Sequence, residues 1–251
     1  HKSQHNRSPK MSKKVAVVTG ANRGIGLAIV EGLLKSGECS HIVMVCRDQK
    51  AAATIAAKLT TKACAVLVCA ADVTDDKVGS TLTAFLAKNT GDRCDILVNN
   101  AGILKEHDKD FLHGTLDILR KTFEINTVGP VKLIQAVLPL MKKNKYGRIV
   151  NMSSGLGQLS EMGGKYTAYR ISKTGLNAVT KIVTAETKDF DDIACNSMCP
   201  GFVKTLLTPS NMTHASKTPE EGAATAVWLA LQSGKSMPKG KFFRDKKEMD
   251  W

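Results

Sequence analysis

One stretch limits what this chain can fold into more than any other. Thr19-Gly20-Ala21-Asn22-Arg23-Gly24-Ile25-Gly26 stands between the β-branched run VAVVT (15–19) and the apolar-periodic run LAIVEGLLKSG. Each glycine has its own reason there. Gly20 allows a sharp strand-to-helix turn, Gly24 lets backbone N–H groups come close to a ligand, and Gly26 permits tight helix–strand packing. A helix that starts at such a turn aims its unpaired N–H groups and positive dipole end at whatever the turn holds, which favours pyrophosphate. Three glycines also fit a plain structural turn; the strand–turn–helix setting favours a dinucleotide phosphate cradle.

The rest of the chain repeats this alternation. Strand patterns occur at 15–19, 41–46, 65–70, 95–100, 148–154, 193–200 and 240–245, with helical patterns near 24–36, 48–59, 75–88, 114–142, 166–188 and 218–232. Several strands are apolar on both faces, as expected where helices cover both sides of a parallel sheet. The pattern predicts a single-domain α/β fold over residues 11–251, a Rossmann-type, doubly wound parallel sheet of about seven strands with helices on both faces. The segment FVKTLLTPSNMTHAS (203–217) breaks the periodicity after a strand end, where a loop is expected either to cover a ligand or simply to cross the surface.

Composition narrows the partners. The net charge is +13, or +10 once Lys2, Arg7 and Lys10 are set aside. The basic residues are scattered and carry few interleaved aromatics, so solvated faces and an anionic small ligand are expected rather than nucleic acid. The seven cysteines form no CxxC and lie mostly in apolar runs, which predicts buried thiols in a reducing, cytoplasmic setting, with neither a disulfide framework nor a metal site. The longest apolar run, Ala63 to Ala71, is far short of the roughly 18 residues a membrane span needs. Residues 1–10, HKSQHNRSPK, are polar and basic and read as a disordered extension or a vector remnant.

The spacing Thr-Gly-x-x-x-Gly-x-Gly resembles the short-chain dehydrogenase/reductase family. Further residues extend the resemblance in family order: Asp72-Val73 after the third strand, Asn99-Asn100-Ala101-Gly102 after the fourth, and Pro200-Gly201-Phe202-Val203-Lys204-Thr205 after the sixth. It implies that Gly20, Asn22, Arg23, Gly24, Ile25 and Gly26 hold the cofactor phosphates. Asp72 and Val73 would meet the adenine, and Asn100, Ala101 and Gly102 would line the cofactor. Pro200, Gly201, Val203 and Thr205 would approach the nicotinamide carboxamide. Taken singly, Asp72 also fits a helix N-cap, and Asn99–Gly102 a turn.

A NAD site usually places a carboxylate at the end of the second strand. Here that strand ends Val45-Cys46-Arg47-Asp48. A guanidinium at Arg47 pairs with a 2′-phosphate where a carboxylate would repel it, and Arg23 adds a second positive contact, so NADP(H) is expected. Asp48 could instead serve NAD, or cap the helix AAATIAAKL.

Tyr169-Arg170-Ile171-Ser172-Lys173 puts a tyrosine and a lysine on one helix face. A cation beside a phenol lowers its ordinary pKa of about 10, giving a group able to donate and recover a proton. Tyr166 is followed four residues on by Arg170 and does not fit. The resemblance gives Lys173 the nicotinamide ribose as well, Ser154 the substrate carbonyl oxygen, and Asn126 a water in the proton relay. The serine-to-tyrosine spacing is fifteen residues against the family's usual thirteen, which leaves Ser153 open beside Ser154.

Details such as MCPGFVKT and TPEEGAATAVWLAL resemble the carbonyl-reductase branch. This implies NADPH-dependent reduction of an aldehyde, ketone or quinone with Tyr169 as proton donor. The alternatives are a 3-oxoacyl-thioester reductase of the same family and a non-catalytic NADPH-binding sensor or scaffold. Some branch members carry a long insertion between serine and tyrosine that blocks association. Its absence here implies a homodimer or homotetramer through helices 114–142 and 166–188.

Overall fold

The structure is a computed structural model and describes residues 13–105, 110–205, 216–234 and 237–251. The 1–10 extension and most of the 203–217 segment therefore lie outside the described residues. The described chain forms β1 (Lys14–Thr19), α1 (Gly24–Ser36), β2 (Cys39–Cys46), α2 (Gln49–Leu59), β3 (Ala65–Ala70) and α3 (Val78–Thr90). It continues through β4 (Ile96–Asn99), α4 (Leu116–Phe123), α5 (Gly129–Asn144), β5 (Gly147–Met152) and α6 (Thr167–Glu186). The last elements are β6 (Ile193–Met198), α7 (Pro219–Leu231), β7 (Phe242–Arg244) and β8 (Lys247–Met249).

The strands make one sheet in the order β3-β2-β1-β4-β5-β6-β7-β8, parallel throughout except for the antiparallel β7–β8 pair. Alternate residues of a strand point to opposite faces, and both faces here are apolar. Ala16, Val18, Ile42, Met44 and Val98 pack under α1 and α7 against Ile29, Leu33 and Leu229. Val15, Val17, Val43 and Leu97 pack on the other side against Leu82, Leu133 and Val183 from α3, α5 and α6. Each fully buried aliphatic side chain contributes on the order of 1.5–3 kcal/mol.

Local chemistry sets the element ends. Gly37 and Gly91 close α1 and α3 with φ of 71° and 65°, in the left-handed region that glycine enters freely. Thr218 and Glu221 form a reciprocal capping box at the start of α7, with Pro219 as its first residue. Asp48 accepts the Ala51 N–H at 3.0 Å, so it caps α2.

The expected doubly wound sheet of about seven strands is present, with eight strands among the described residues, because Lys247–Met249 adds a short, largely exposed edge with no apolar pattern to announce it. One expectation needs correction. The single helix expected over 114–142 is interrupted by a π-helical turn, Glu124–Val128. There Gly129 donates to Glu124 O, five residues back, and Pro130, which has no N–H, follows at once. Asn126 sits inside this turn.

Candidate active site

The strand order reverses direction between β1 and β4, and ligands in open α/β sheets bind at such a point, outside the carboxyl ends of the strands. The glycine turn lies there. Gly20 and Gly24 have φ of 62° and 53°, and Gly20 N–H donates to Val45 O at 2.9 Å, which fastens the turn to β2. A Cβ on Gly26 would overlap Gly20 O and stand 2.5 Å from Asn100 Nδ2. Asn100 in turn donates to Thr19 O at 2.9 Å, while Thr19 Oγ1 accepts the N–H groups of Asn100 and Ala101, each at 2.9 Å. Asn100 thus braces the glycine turn from the neighbouring strand. The reading from sequence had given Thr19 no part in this.

Arg23, exposed and extended, occupies the N-cap position of α1. No side chain caps that helix and its first turn holds no acid, so the amides of Gly24, Ile25 and Gly26 face no competing carboxylate of their own turn. Asn22 is half-buried in the same turn, and the Cys46 thiol, which burial pushes above its usual range, is hydrogen-bonded by the backbone of Ala21 and Asn22. Thr205 Cγ2 lies 3.6 Å from where a Gly24 Cβ would be, so the Pro200–Thr205 segment closes on the turn. Val203 packs its side chain on α7 at Gly222, and Gly201 takes φ of 79°.

Arg47 meets Asp72 at 3.8 Å, with both side chains well exposed. Partial burial of Asp72 works the other way, yet the Thr74 N–H and hydroxyl, with Arg47, hold its carboxyl below the usual range. Val73 is buried against Gly129, at the end of the π-helical turn.

The second half of the site comes from β5, α6 and that turn. Asn126 is fully buried. It accepts Ile103 N–H at 2.8 Å and donates to Ile103 O and to Ser172 Oγ, each at 3.0 Å, tying the chain after β4 to α6. Lys173 Nζ donates to Met152 O at 2.6 Å and stands 5.6 Å from the centre of the Tyr169 ring. A Cβ on Gly102 would lie 3.2 Å from Asn126 Oδ1 and 3.5 Å from Lys173 Nζ, so a side chain at 102 would crowd both groups.

The two serines separate by geometry. Ser153 is buried and donates to Lys173 O at 3.3 Å. Ser154 is half-buried, accepts Leu156 N–H at 3.2 Å and reaches the Tyr169 hydroxyl.

The proton chemistry differs from expectation. Burial pushes the Tyr169 phenol up to about 12, with Ser154 opposing. Burial also pulls Lys173 down to about 8, with Cys199 opposing. The lysine does not win over desolvation, because its ammonium is spent on Met152 O and is itself out of water.

Below the site a buried chain of polar side chains runs across the sheet. Asn99 donates to Asn151 at 2.9 Å, Asn151 donates to Thr180 at 2.8 Å, and the Thr180 and Ser197 hydroxyls pair at 2.7 Å. All seven cysteines are buried and unpaired.

The short chain dehydrogenase family model matches residues 14–216, and the chain belongs to that family. It is similar to carbonyl reductase 1 (NADPH) of Mus musculus, at 32% identity over 96% of this chain and 99% of the relative. It is also similar to (+)-neomenthol dehydrogenase of Arabidopsis thaliana, at 30% identity over 93% and 96%. Among solved structures, an NADPH-bound carbonyl reductase from chicken fatty liver matches with a TM-score of 0.82 at 29% identity, covering 95% of this chain and 99% of that one.

Proposed function

We propose that this chain is an NADPH-dependent carbonyl reductase acting on aldehydes, ketones or quinones. The observation that carries the reading is the convergence of Ser154, Tyr169 and Lys173 at the end of β5, joined to the glycine turn through Gly102 and Asn126. The similarity to NADPH carbonyl reductases supports the same reading.

The residues fit the cofactor. The absent Cβ of Gly26, the uncapped start of α1 and the positive φ of Gly20 make a cradle for pyrophosphate. Arg23 and Arg47 are the cations placed for a 2′-phosphate, and Asp72 lies beside Arg47 for the adenosine. Ala101, Gly102, Pro200, Gly201, Val203 and Thr205 would line the nicotinamide half. When bound, NADPH supplies the hydride that reduces the carbonyl carbon.

The chain's own residues handle the oxygen. Tyr169, kept protonated by burial, donates its proton to the carbonyl oxygen as negative charge develops there. Ser154 turns its hydroxyl from Tyr169 to the same oxygen and stabilises that charge. Lys173 steadies the phenolate left behind, and Asn126 holds the backbone at Ile103 and α6 in place around it. The test follows nicotinamide absorbance with NADPH and then NADH over a quinone, an α-dicarbonyl, an aromatic aldehyde and an acetoacetyl thioester. Turnover with NADPH that Tyr169→Phe abolishes supports the reading, faster turnover of the thioester favours the oxoacyl reductase, and failure to bind either cofactor refutes both.

The chain would assemble as a homodimer or tetramer through the helices over 114–142, α4 and α5, together with α6. Leu119, Phe123 and Ile171 line a groove between α4 and α6, and Leu116 on α4 and Ile171 and Ile182 on α6 are exposed. Light scattering on the purified protein tests this. A reducing, cytoplasmic setting suits seven buried free thiols. Among the described residues no helix is long and apolar enough to cross a membrane.

A further inference from the structure

Arg244 ends β7, a strand parallel to β6, so it emerges at the same carboxyl edge of the sheet as Ser154 and Cys199. Its guanidinium Nη2 donates to Cys199 Sγ at 3.4 Å. It also occupies the space a side chain on residue 155 would need, since a Cβ on Gly155 would overlap Nη2. Glycine directly after Ser154 therefore lets a cation lie against the backbone next to the carbonyl-binding hydroxyl. Cys199 Sγ also accepts the Gly155 N–H at 3.1 Å, so the guanidinium, the thiol and the backbone next to Ser154 form one cluster.

This arginine has no carboxylate within ion-pairing distance among the described residues. The adjacent acid, Asp245, is held by Lys217. A guanidinium offers five N–H donors in a planar fork that matches a carboxylate, and a thiol sulfur is a weak acceptor that takes only one of them. The loops that follow β5 and β6, which end at the same edge of the sheet, present apolar side chains to solvent: Leu159, Met162 and Phe202. The edge next to Ser154 thus carries an unmatched cation, and the loops after β5 and β6 carry exposed apolar side chains.

We propose that Arg244 is a specificity-determining residue that binds the carboxylate of a substrate carrying its reducible carbonyl on an apolar body. The inference rests on the carbonyl-reductase reading and names the substrate class of that same site. A neutral carbonyl compound would still meet Ser154 and Tyr169 but would leave the guanidinium unmatched, so the gain appears as a lower KM for the acid.

The test compares 3- and 4-formylbenzoate with the corresponding formylbenzamides, using NADPH and the full chain. The expected result is a kcat/KM at least tenfold higher for the better acid, carried by KM and eroded by added salt. In Arg244→Met that preference falls to within threefold while the amides keep their rates, and Arg244→Lys retains part of it. Inhibition of the wild-type enzyme needs no variant: benzoate should compete with the aldehyde at least tenfold better than benzamide. Equal rates for acid and amide in the wild type, or equal losses for both in Arg244→Met, would overturn the proposal. If no aldehyde of either charge were reduced although NADPH binds, the catalytic reading would have failed instead.

Discussion

The ammonium of Lys173 stands 5.6 Å from the ring centre of Tyr169 and donates to Met152 O, so the two groups titrate in one dry pocket. Burial moves them in opposite directions, the phenol up to about 12 and the ammonium down to about 8. At neutral pH the tyrosine carries its proton and the lysine its charge. As pH rises through about 8 the lysine becomes neutral and no longer stabilises a phenolate. The rate of carbonyl reduction should therefore be flat below pH 7 and fall above pH 8, while Lys173→Arg moves the fall to higher pH. A pH profile of kcat for the two proteins checks this.

Tyr169→Phe removes the proton donor and keeps the ring in its buried place. Loss of a general acid costs roughly 10²- to 10⁴-fold in rate, so kcat should drop by that amount. The NADPH dissociation constant, read by fluorescence titration, should stay within a few-fold.

Ser154→Ala and Ser153→Ala should differ. Removing a hydrogen-bond donor to developing charge costs roughly 10²- to 10³-fold, and only Ser154 reaches Tyr169. Ser153 spends its hydroxyl on Lys173 O, so its loss should lower kcat by less than tenfold. Steady-state kinetics of both variants decide between them.

Arg47→Glu places a carboxylate where a 2′-phosphate is expected and repels Asp72 as well. A charge-assisted hydrogen bond contributes about 1.5–3 kcal/mol. The ratio of kcat/KM for NADPH over NADH should fall by roughly ten- to a hundredfold, with the rate on NADH rising or unchanged.

Asn151→Ala cuts the buried polar chain in the middle and leaves the Asn99 amide N–H without its partner, while the Thr180 hydroxyl keeps Leu176 O and Ser197. Burying that donor unpaired costs about 1–3 kcal/mol. Urea unfolding should show a lower midpoint with an unchanged slope.

The fold was legible because its signals are local and repeated. Runs such as VAVVT and AVLVCA between helical periods leave little choice but a parallel sheet covered on both faces. The glycine turn and the Tyr169/Lys173 pair were legible for the same reason, since each lies within a few residues of chain. What escaped depends on tertiary geometry. Helical periodicity cannot show that Gly129 reaches back five residues, so the break at Asn126 is visible only in three dimensions. The Tyr169 shift runs opposite to the one a neighbouring cation implies, because sequence shows the cation but not how completely the pair is dehydrated. Arg244 falls inside the strand pattern at 240–245, and nothing in GKFFRD says that its guanidinium lies where a side chain on residue 155 would be.

The order of strands also sets a schedule for synthesis. β1 gains its inner neighbour only when β4 exists, for Ala16 pairs with Ile96 and Val15 N–H waits for Asp95, eighty residues later. Until then the glycine turn hangs from a strand with one bare edge, and Asn100 is not there to brace it. Tyr169 arrives later still. Closing loops of that length precedes the contacts that reward it, which makes such sheets slow to form and prone to stick to one another. A nascent chain halted before β4 therefore leaves the apolar edge of β1 bare and its glycine turn without the Asn100 brace.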